Sequence, residues 1–458
     1  MDLALPNHDS GGAEEVSRWS RWSSVDNFCV ALQGMLAVQD YEQALRTSRE
    51  AEKTFRQDRE TLGEAHAVLL QAHALRGLED HQGAAELAVA AVESFSQAGD
   101  VPGELAALNL ATRALCDASR SDISVASEAV QASRRLLKRC ELVGSDADLA
   151  GASLLLAEAL LADGRPQDAL QASAEAKGKF AQAGDAEGLA ACHRLASDVH
   201  ISEGDGDEAL READEARRIA ADLADGGRSL AEAEGRRATA FLLAGQHREA
   251  LRSAQVAEKL WIKVGDRRAE VDCLIVQAAA KIAIVTEAVS QSSGDGAGGG
   301  APVPMQVVTF AKAAASLADT WRRHDDACVG RAHITLARAM ALAGSHRSAE
   351  NAARKAAKAF RRRGDAAQRA EALMLSADAS CRRGAIQDAR ADSAKAQELF
   401  ERAGGSGGLA KLADINDRIN EAMGLPTRAQ LEEQERQQQL AIQQYLAVYG
   451  GAGGPAAA

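Results

Sequence analysis

Small apolar residues recur at fixed intervals along this 458-residue chain and define a repeating unit. Alanine occupies one position of each unit and, with one exception, a second position seven residues later. Residues seven apart lie on one face of an α-helix, two turns from each other, where small side chains let a neighbouring helix approach. The first column is Ala44, Ala84, Ala129, Ala169, Ala209, Ala250, Ala349 and Ala389; the second is Ala51, Ala91, Ala176, Ala216, Ala257, Ala356 and Ala396, with Leu136 as the exception.

A bulky aromatic residue follows the first alanine by eleven positions in most units, with Cys140 and Ala220 as the exceptions, and a turn follows four residues later. Phe55 and Phe95 are 40 residues apart, as are Phe360 and Phe400, whereas Cys140 takes this position in one unit. Glycine marks the turn because many helices end in a left-handed residue, which glycine adopts without steric cost. The turn glycines are Gly99, Gly144, Gly184, Gly265, Gly364 and Gly404. The spacing therefore predicts antiparallel helix pairs with a period of about 40 residues.

These columns resemble the tetratricopeptide repeat family, which carries small residues at the equivalent positions of both helices. The period and the Gly-Asp turn are most similar to its long-helix branch, found in kinesin light chains and Pins-like adaptors, as in residues 95–111. The resemblance covers residues 25–420. It implies an all-α, right-handed superhelical solenoid of about nine antiparallel helix pairs, followed by a C-terminal helix. It also implies a non-enzymatic scaffold or adaptor that binds peptide or helical segments of partner proteins in a concave groove.

Segments outside the repeat divide the chain into four predicted parts. Residues 1–24 are a mobile N-terminal segment, and residues 25–424 are the solenoid, with a flexible Gly/Ser-rich insertion at 290–304. Residues 425–449 form a helix, and residues 450–458 form a disordered tail. Three roles stay open for the C-terminal helix: it caps the last unit, folds back into the groove, or binds a partner.

Composition narrows the function further. Only 3% of the residues are aromatic, which disfavours a sheet-based fold, and the net charge of −13 argues against nucleic acid and anionic membranes as partners. The seven cysteines are scattered without a paired motif, which is typical of a reducing compartment and predicts a cytoplasmic protein. The longest apolar run, residues 271–289, is interrupted by Asp272, Lys281 and Glu287, so no membrane span is expected.

Motifs for catalysis and for cofactor binding are missing from the sequence. It contains no Walker A loop, Gly-x-Ser-x-Gly, His-Glu-x-x-His or paired-cysteine zinc pattern. His66 and His73 share one helix face, but without a third ligand they do not indicate a metal site. We therefore expect no enzyme activity, cofactor or metal. A ligand-sensing regulator and, through recurring arginine pairs, an RNA-binding repeat protein remain as alternatives.

The family resemblance also points to candidate groove residues. In tetratricopeptide proteins, the first helix of each pair lines the groove. Neither known binding code is retained: the carboxylate-clamp positions hold Cys29, Leu69, Asn109 and Leu154, and the recurring asparagine of Pins-like adaptors survives only as Asn109. The alternating charges instead predict a mixed-charge or helical ligand. The candidate peptide-binding residues are His66, His73, Asn109, Glu158, Arg194, Asp198, Arg236, Arg331, Arg338 and Asp378.

Overall fold

A computed structural model describes residues 29, 34–36, 40–224, 227–292, 305–321, 325–403 and 406–449. Every regular element in these ranges is a helix, which confirms the all-α prediction. The chain divides into two compact units, Met1–Gly265 and Asp266–Ala458. The predicted N-terminal segment, most of the insertion at 290–304 and the tail at 450–458 lie outside the described residues.

The described part of the first unit contains eleven α-helices and one short 3-10 turn, Ile123–Val125. Most neighbouring helices are joined by two or three residues and pack against each other, as the repeat predicts. The helices are α1 (Tyr41–Asp58), α2 (Thr61–Gly77), α3 (His81–Ala98), α4 (Val101–Ala118), α5 (Ala126–Val143), α6 (Asp146–Ala162), α7 (Pro166–Ala183), α8 (Ala186–Glu203), α9 (Gly206–Ala220), α10 (Arg228–Leu243) and α11 (His247–Val264).

The described part of the second unit continues the pattern with eight α-helices and a 3-10 turn, Asp319–Trp321. Helix α12 is longer than the others, at 26 residues. The helices are α12 (Arg267–Ser292), α13 (Met305–Ala318), α14 (Asp326–Leu342), α15 (His346–Arg363), α16 (Ala366–Arg382), α17 (Ile386–Ala403), α18 (Ser406–Ala422) and α19 (Arg428–Tyr449).

Even-numbered helices form one face of each unit. In the first unit, contacts join α2 to α4, α4 to α6, α6 to α8, and α8 to α10. In the second unit, contacts join α12 to α14, α14 to α16, and α16 to α18. Odd-numbered helices contact one another less. The even-numbered helices correspond to the first helices of the predicted pairs, which line the groove in the family pattern, and we call the surface that they form the inner face.

The two alanine columns are the seams between helices. Ala84, Ala169 and Ala250 are completely buried, as are Ala91 and Ala176 in the second column. Interiors are packed to crystal-like density, so a larger side chain in either column would force the helices apart. The sequence prediction that these residues mediate close helix contacts is confirmed.

Phenylalanine in the bulky position packs against glycine in the next helix. Four such pairs are eight residues apart: Phe55–Gly63, Phe95–Gly103, Phe180–Gly188 and Phe400–Gly408. In each pair, a Cβ atom on the glycine would overlap the phenyl ring. The ring therefore fills the space that the missing side chain leaves.

The turn glycines behave as expected in four of the described cases, among them Gly364 with φ 81°, and differ in a fifth. Gly99, Gly184 and Gly265 have φ angles of 73°, 69° and 84°. Gly144 has φ −82° and an extended backbone. The helix that follows Gly144 begins with a capping box between Ser145 and Asp148, whereas the helices after Gly99 and Gly184 begin with a single aspartate N-cap.

Helix α12 modifies the expectation of no membrane span. By length and composition alone, its stretch Arg267–Gln291, with a hydropathy of 1.6, could cross a membrane. However, Val271, Leu274 and Ile275 are buried against α13 and α14. Arg268 pairs with Asp325 at 2.5 Å. Burial in a helical core explains the apolar character of this half of the helix.

Candidate functional site

Four of the predicted groove residues, Glu158, Arg194, Asp198 and Arg236, lie on the inner face of the first unit. Arg194 Nε lies 2.9 Å from Glu232 Oε2. Arg236 Nε donates to Asp198 Oδ2 at 3.0 Å, and its terminal nitrogen lies 2.9 Å from the same oxygen. These two ion pairs join α8 to α10, so the charges bind each other across adjacent repeats.

Burial shifts the titration of this cluster. It raises the pKa of Glu158, although Arg113 and Arg120 oppose the shift, and it lowers the pKa of Arg194. Burial alone would lower the pKa of Arg236, but the carboxylates of Asp198 and Glu232 raise it, and the net shift is upward. Glu158 has no ion pair within 4 Å in the described part of the chain, which makes it the least compensated charge of the group.

The candidate residues of the second unit follow the same pattern of pairing between repeats. Arg331 binds Asp272 at 2.7 Å, joining α14 to α12, and Arg338 pairs with Glu371 of α16. Asp378 contacts Arg418 of α18 at 2.7 Å. Charged residues that were predicted to bind a ligand thus form ion pairs, at least in part, between neighbouring helices.

The remaining candidates lie at the N-terminal end of the inner face. His66 packs edge-on against Phe95, with ring centroids 4.8 Å apart, and its Nε2 is 3.8 Å from Asp100. Asn109 accepts a hydrogen bond of 2.8 Å from Arg113 Nε. Solvent reaches His73, yet the surrounding protein lowers its pKa by desolvation, because the ring lies in the wall of a cavity.

That cavity lies in the first unit and has a volume of about 830 Å³. Two of its lining residues, His73 and Asn109, are among the groove residues predicted from the sequence, and the others are not. Some of the missed residues come from α5, an odd-numbered helix that the family pattern does not place in the groove. The lining is His73, Arg76, Val101, Pro102, Leu105, Ala106, Asn109, Leu110, Arg113, Leu136, Cys140, Val143, Ala147, Asp148 and Gly151.

The cavity lies where one unit departs from the repeat. Cys140 stands in the bulky position, and Asp148 stands eight residues later where four other units have glycine. The phenylalanine–glycine pair is therefore missing at this junction. The connection between α4 and α5 is also longer, at residues 119–125. The cysteine in the aromatic column was the sequence signal that could have located the cavity.

Most of the charges around the cavity already have partners. Arg76 Nε binds Asp117 at 2.8 Å. Asp148 accepts hydrogen bonds from the Ser145 amide at 2.9 Å and from its hydroxyl at 2.8 Å. Arg113 differs, because within the described ranges no carboxylate lies within 4 Å of its guanidinium. The cavity therefore combines an apolar floor with one cation that forms no ion pair within 4 Å with a described carboxylate, although Arg113 interacts electrostatically with Glu158.

Comparisons with solved structures agree with this architecture. The apo form of the quorum sensor NprR from B. thuringiensis has a TM-score of 0.53 at 12% identity, covering 83% of this chain and 99% of that one. The chain has the tetratricopeptide-like helical repeat fold. A Rap protein complexed with competence and sporulation factor matches at 12% identity and a TM-score of 0.47, covering 87% of this chain and 99% of that one. A putative kinesin light chain from Podosopora anserina with TPR-like repeats matches at 18% identity and a TM-score of 0.32, covering 48% of this chain and 97% of that one.

No protein-family model and no curated protein matches this tetratricopeptide-like chain. The identities to the solved structures are 12–18%, so these similarities concern the fold. The resemblance inferred from the alanine columns is confirmed at that level.

Proposed function

We propose that this protein is a non-enzymatic scaffold or adaptor that holds peptide or helical segments of partner proteins on the inner face of its first unit. The cavity of about 830 Å³ between α2, α4, α5 and α6 carries this proposal. Its size lies within the range of ligand sites, and its lining combines apolar walls with a few polar groups, as binding sites do.

The charges on the rest of the inner face support the same location. Arg194, Asp198 and Arg236 are engaged in ion pairs between α8 and α10, and a ligand there would have to displace them. Breaking a partly buried pair leaves an uncompensated charge, which is unfavourable. Arg113, which forms no ion pair within 4 Å in the residues that the structure describes, and the neighbouring apolar walls offer a ligand more than the paired region does.

Site-specific photo-crosslinking tests the proposal. A benzoylphenylalanine at Ala106, an exposed alanine that lines the cavity, should crosslink a discrete partner in the native cell. The matched control places the same group at Ala90, an exposed alanine of the odd-numbered helix α3. The expected result is a partner band from position 106 alone, identified by mass spectrometry. Equal crosslinking from both positions, or none from position 106, would refute the inner face as the binding surface.

A sensing role is the second candidate, and it would use the same cavity. The structure of NprR, described as a quorum sensor, shares the fold. A sensor should change the spacing of its repeats when a short peptide binds, whereas an adaptor should not. Small-angle scattering of the protein alone and with the crosslinked peptide distinguishes the two. We further propose a location in the cytoplasm, which the seven scattered cysteines without a paired motif support.

A further inference from the structure

We infer that the cavity binds a peptide segment that places an aromatic side chain beside Cys140 and an adjacent acidic side chain on Arg113. This inference rests on the proposed function and specifies the ligand class of the same surface. It follows from the break in the repeat and from the distribution of paired and unpaired charges.

The aromatic part of the ligand is argued from the repeat itself. At four other junctions of this chain, a phenyl ring fills the space between an odd-numbered helix and the next even-numbered one. At the α5–α6 junction, the smaller Cys140 takes that position, and Leu110 and Leu136 complete a floor that is almost fully buried. Val143 at the rim is 49% exposed. A ligand ring would lie over this buried floor and contact the more accessible apolar lining, such as Val101, Leu105 and Val143.

No side chain among the described residues fills the cavity. Gly151 of α6 lines it without a side chain, and a Cβ atom there would meet no atom within 4 Å. Asp148 lines the cavity, but its carboxylate accepts hydrogen bonds from Ser145 in the capping box. The structure thus provides space at the junction and keeps this carboxylate engaged with Ser145.

The acidic part of the ligand is argued from the charges. Among the lining residues, Arg76 is paired with Asp117, and Asp148 is bonded to Ser145. Arg113 uses Nε for Asn109, which leaves its terminal nitrogens to donate. A guanidinium binds a carboxylate with two parallel hydrogen bonds, and this geometry favours an acidic side chain over a neutral one. The apolar floor and Arg113 line the same cavity, so one short segment can reach both.

Saturation-transfer NMR with a defined peptide tests this inference. The probe is acetyl-Gly-Ser-Phe-Asp-Ser-Gly-amide, with two matched peptides in which alanine replaces phenylalanine or asparagine replaces aspartate. We expect transfer to the phenyl protons of the probe, and at least tenfold weaker binding of both matched peptides. Equal binding of the three peptides would overturn the inference.

Protein variants locate the binding. The double variant Cys140→Phe/Asp148→Gly restores the phenylalanine–glycine pair and should abolish binding while circular dichroism shows an intact helical fold. If it does not fold, Gly151→Leu fills the cavity from α6 into open space instead. Arg113→Gln should remove the preference for aspartate over asparagine, and Arg134→Gln, an exposed arginine of α5 outside the cavity, should not. Unchanged binding to a folded, filled variant would refute the site.

The two proposals fail separately. If position 106 crosslinks a partner but the filled variants and the probe peptides show no effect, the scaffold function stands and the aromatic–acidic ligand is wrong. If position 106 captures nothing, the proposed function itself is wrong.

Discussion

Substitution of Phe180 tests whether phenylalanine–glycine pairs hold the repeats together. Phe180 is 6% exposed and packs with Ala150, Ala176 and Cys192. Removing a buried phenyl ring costs roughly 3–5 kcal/mol through lost transfer energy and the cavity that remains. Alanine is the better helix former and offsets about 0.5 kcal/mol. We therefore expect Phe180→Ala to destabilise this part of the first unit by about 3 kcal/mol.

Native-state hydrogen exchange is the appropriate assay, because repeat proteins open locally instead of unfolding in one step. Amides of α7 and α8 should exchange on the order of 100-fold faster in Phe180→Ala, since 1.4 kcal/mol corresponds to a factor of ten. Amides of α2 and α3, several repeats away, should change little and provide the internal control.

Gly188 supplies a sharper test of the same pair. In the native protein, a Cβ atom at position 188 would overlap the Phe180 ring, so Gly188→Ala should destabilise by about 1–3 kcal/mol. In the Phe180→Ala background the ring is gone, and the same substitution should become neutral or stabilising, by up to about 1 kcal/mol. If Gly188→Ala is equally destabilising in both backgrounds, the two residues are not coupled and the packing argument is wrong.

Three further predictions concern other parts of the molecule. Gly178→Ala should stabilise α7 by about 0.5–1 kcal/mol in urea denaturation, because a Cβ atom there meets open space within a helix; a loss of stability would contradict this. Burial lowers the pKa of His81 in the folded protein, so the unfolded chain binds more protons than the folded one as the pH falls through 6.5, and the free energy of unfolding declines. His81→Gln should flatten this decline between about pH 7 and 5. An unchanged slope would contradict the prediction. Asp198→Asn should destabilise the contact between α8 and α10, measured as faster amide hydrogen exchange in these helices. Adding Arg236→Gln to the Asp198→Asn variant should cause a smaller further loss of stability than Arg236→Gln causes alone. Fully additive losses would exclude an energetic coupling of the two residues.

The sequence was sufficient to determine the repeat, its helices and their seams. The alanine columns and turn glycines make the same contacts in each repeat, with segments about 40 residues apart. The residues that these contacts require therefore recur in the sequence at a fixed period. The phenylalanine column was visible in the same way. Its glycine partners, eight residues later, acquire meaning only when the ring is seen to occupy the space of a missing side chain.

Tertiary structure decided which inner-face charges are available. Arg194, Arg236 and Arg331 each bind a carboxylate on an adjacent even-numbered helix, and sequence alone cannot distinguish a charge facing a neighbour from one facing a ligand. The cavity, likewise, depends on three-dimensional packing. The sequence shows Cys140 at the position that is aromatic in most units. The space beside it also requires the open position at Gly151 and the hydrogen bonds between Asp148 and Ser145, which only the structure reveals. Periodic sequence therefore specifies the repeated contacts, whereas the site arises where one repeat departs from the pattern and its neighbours do not fill the gap.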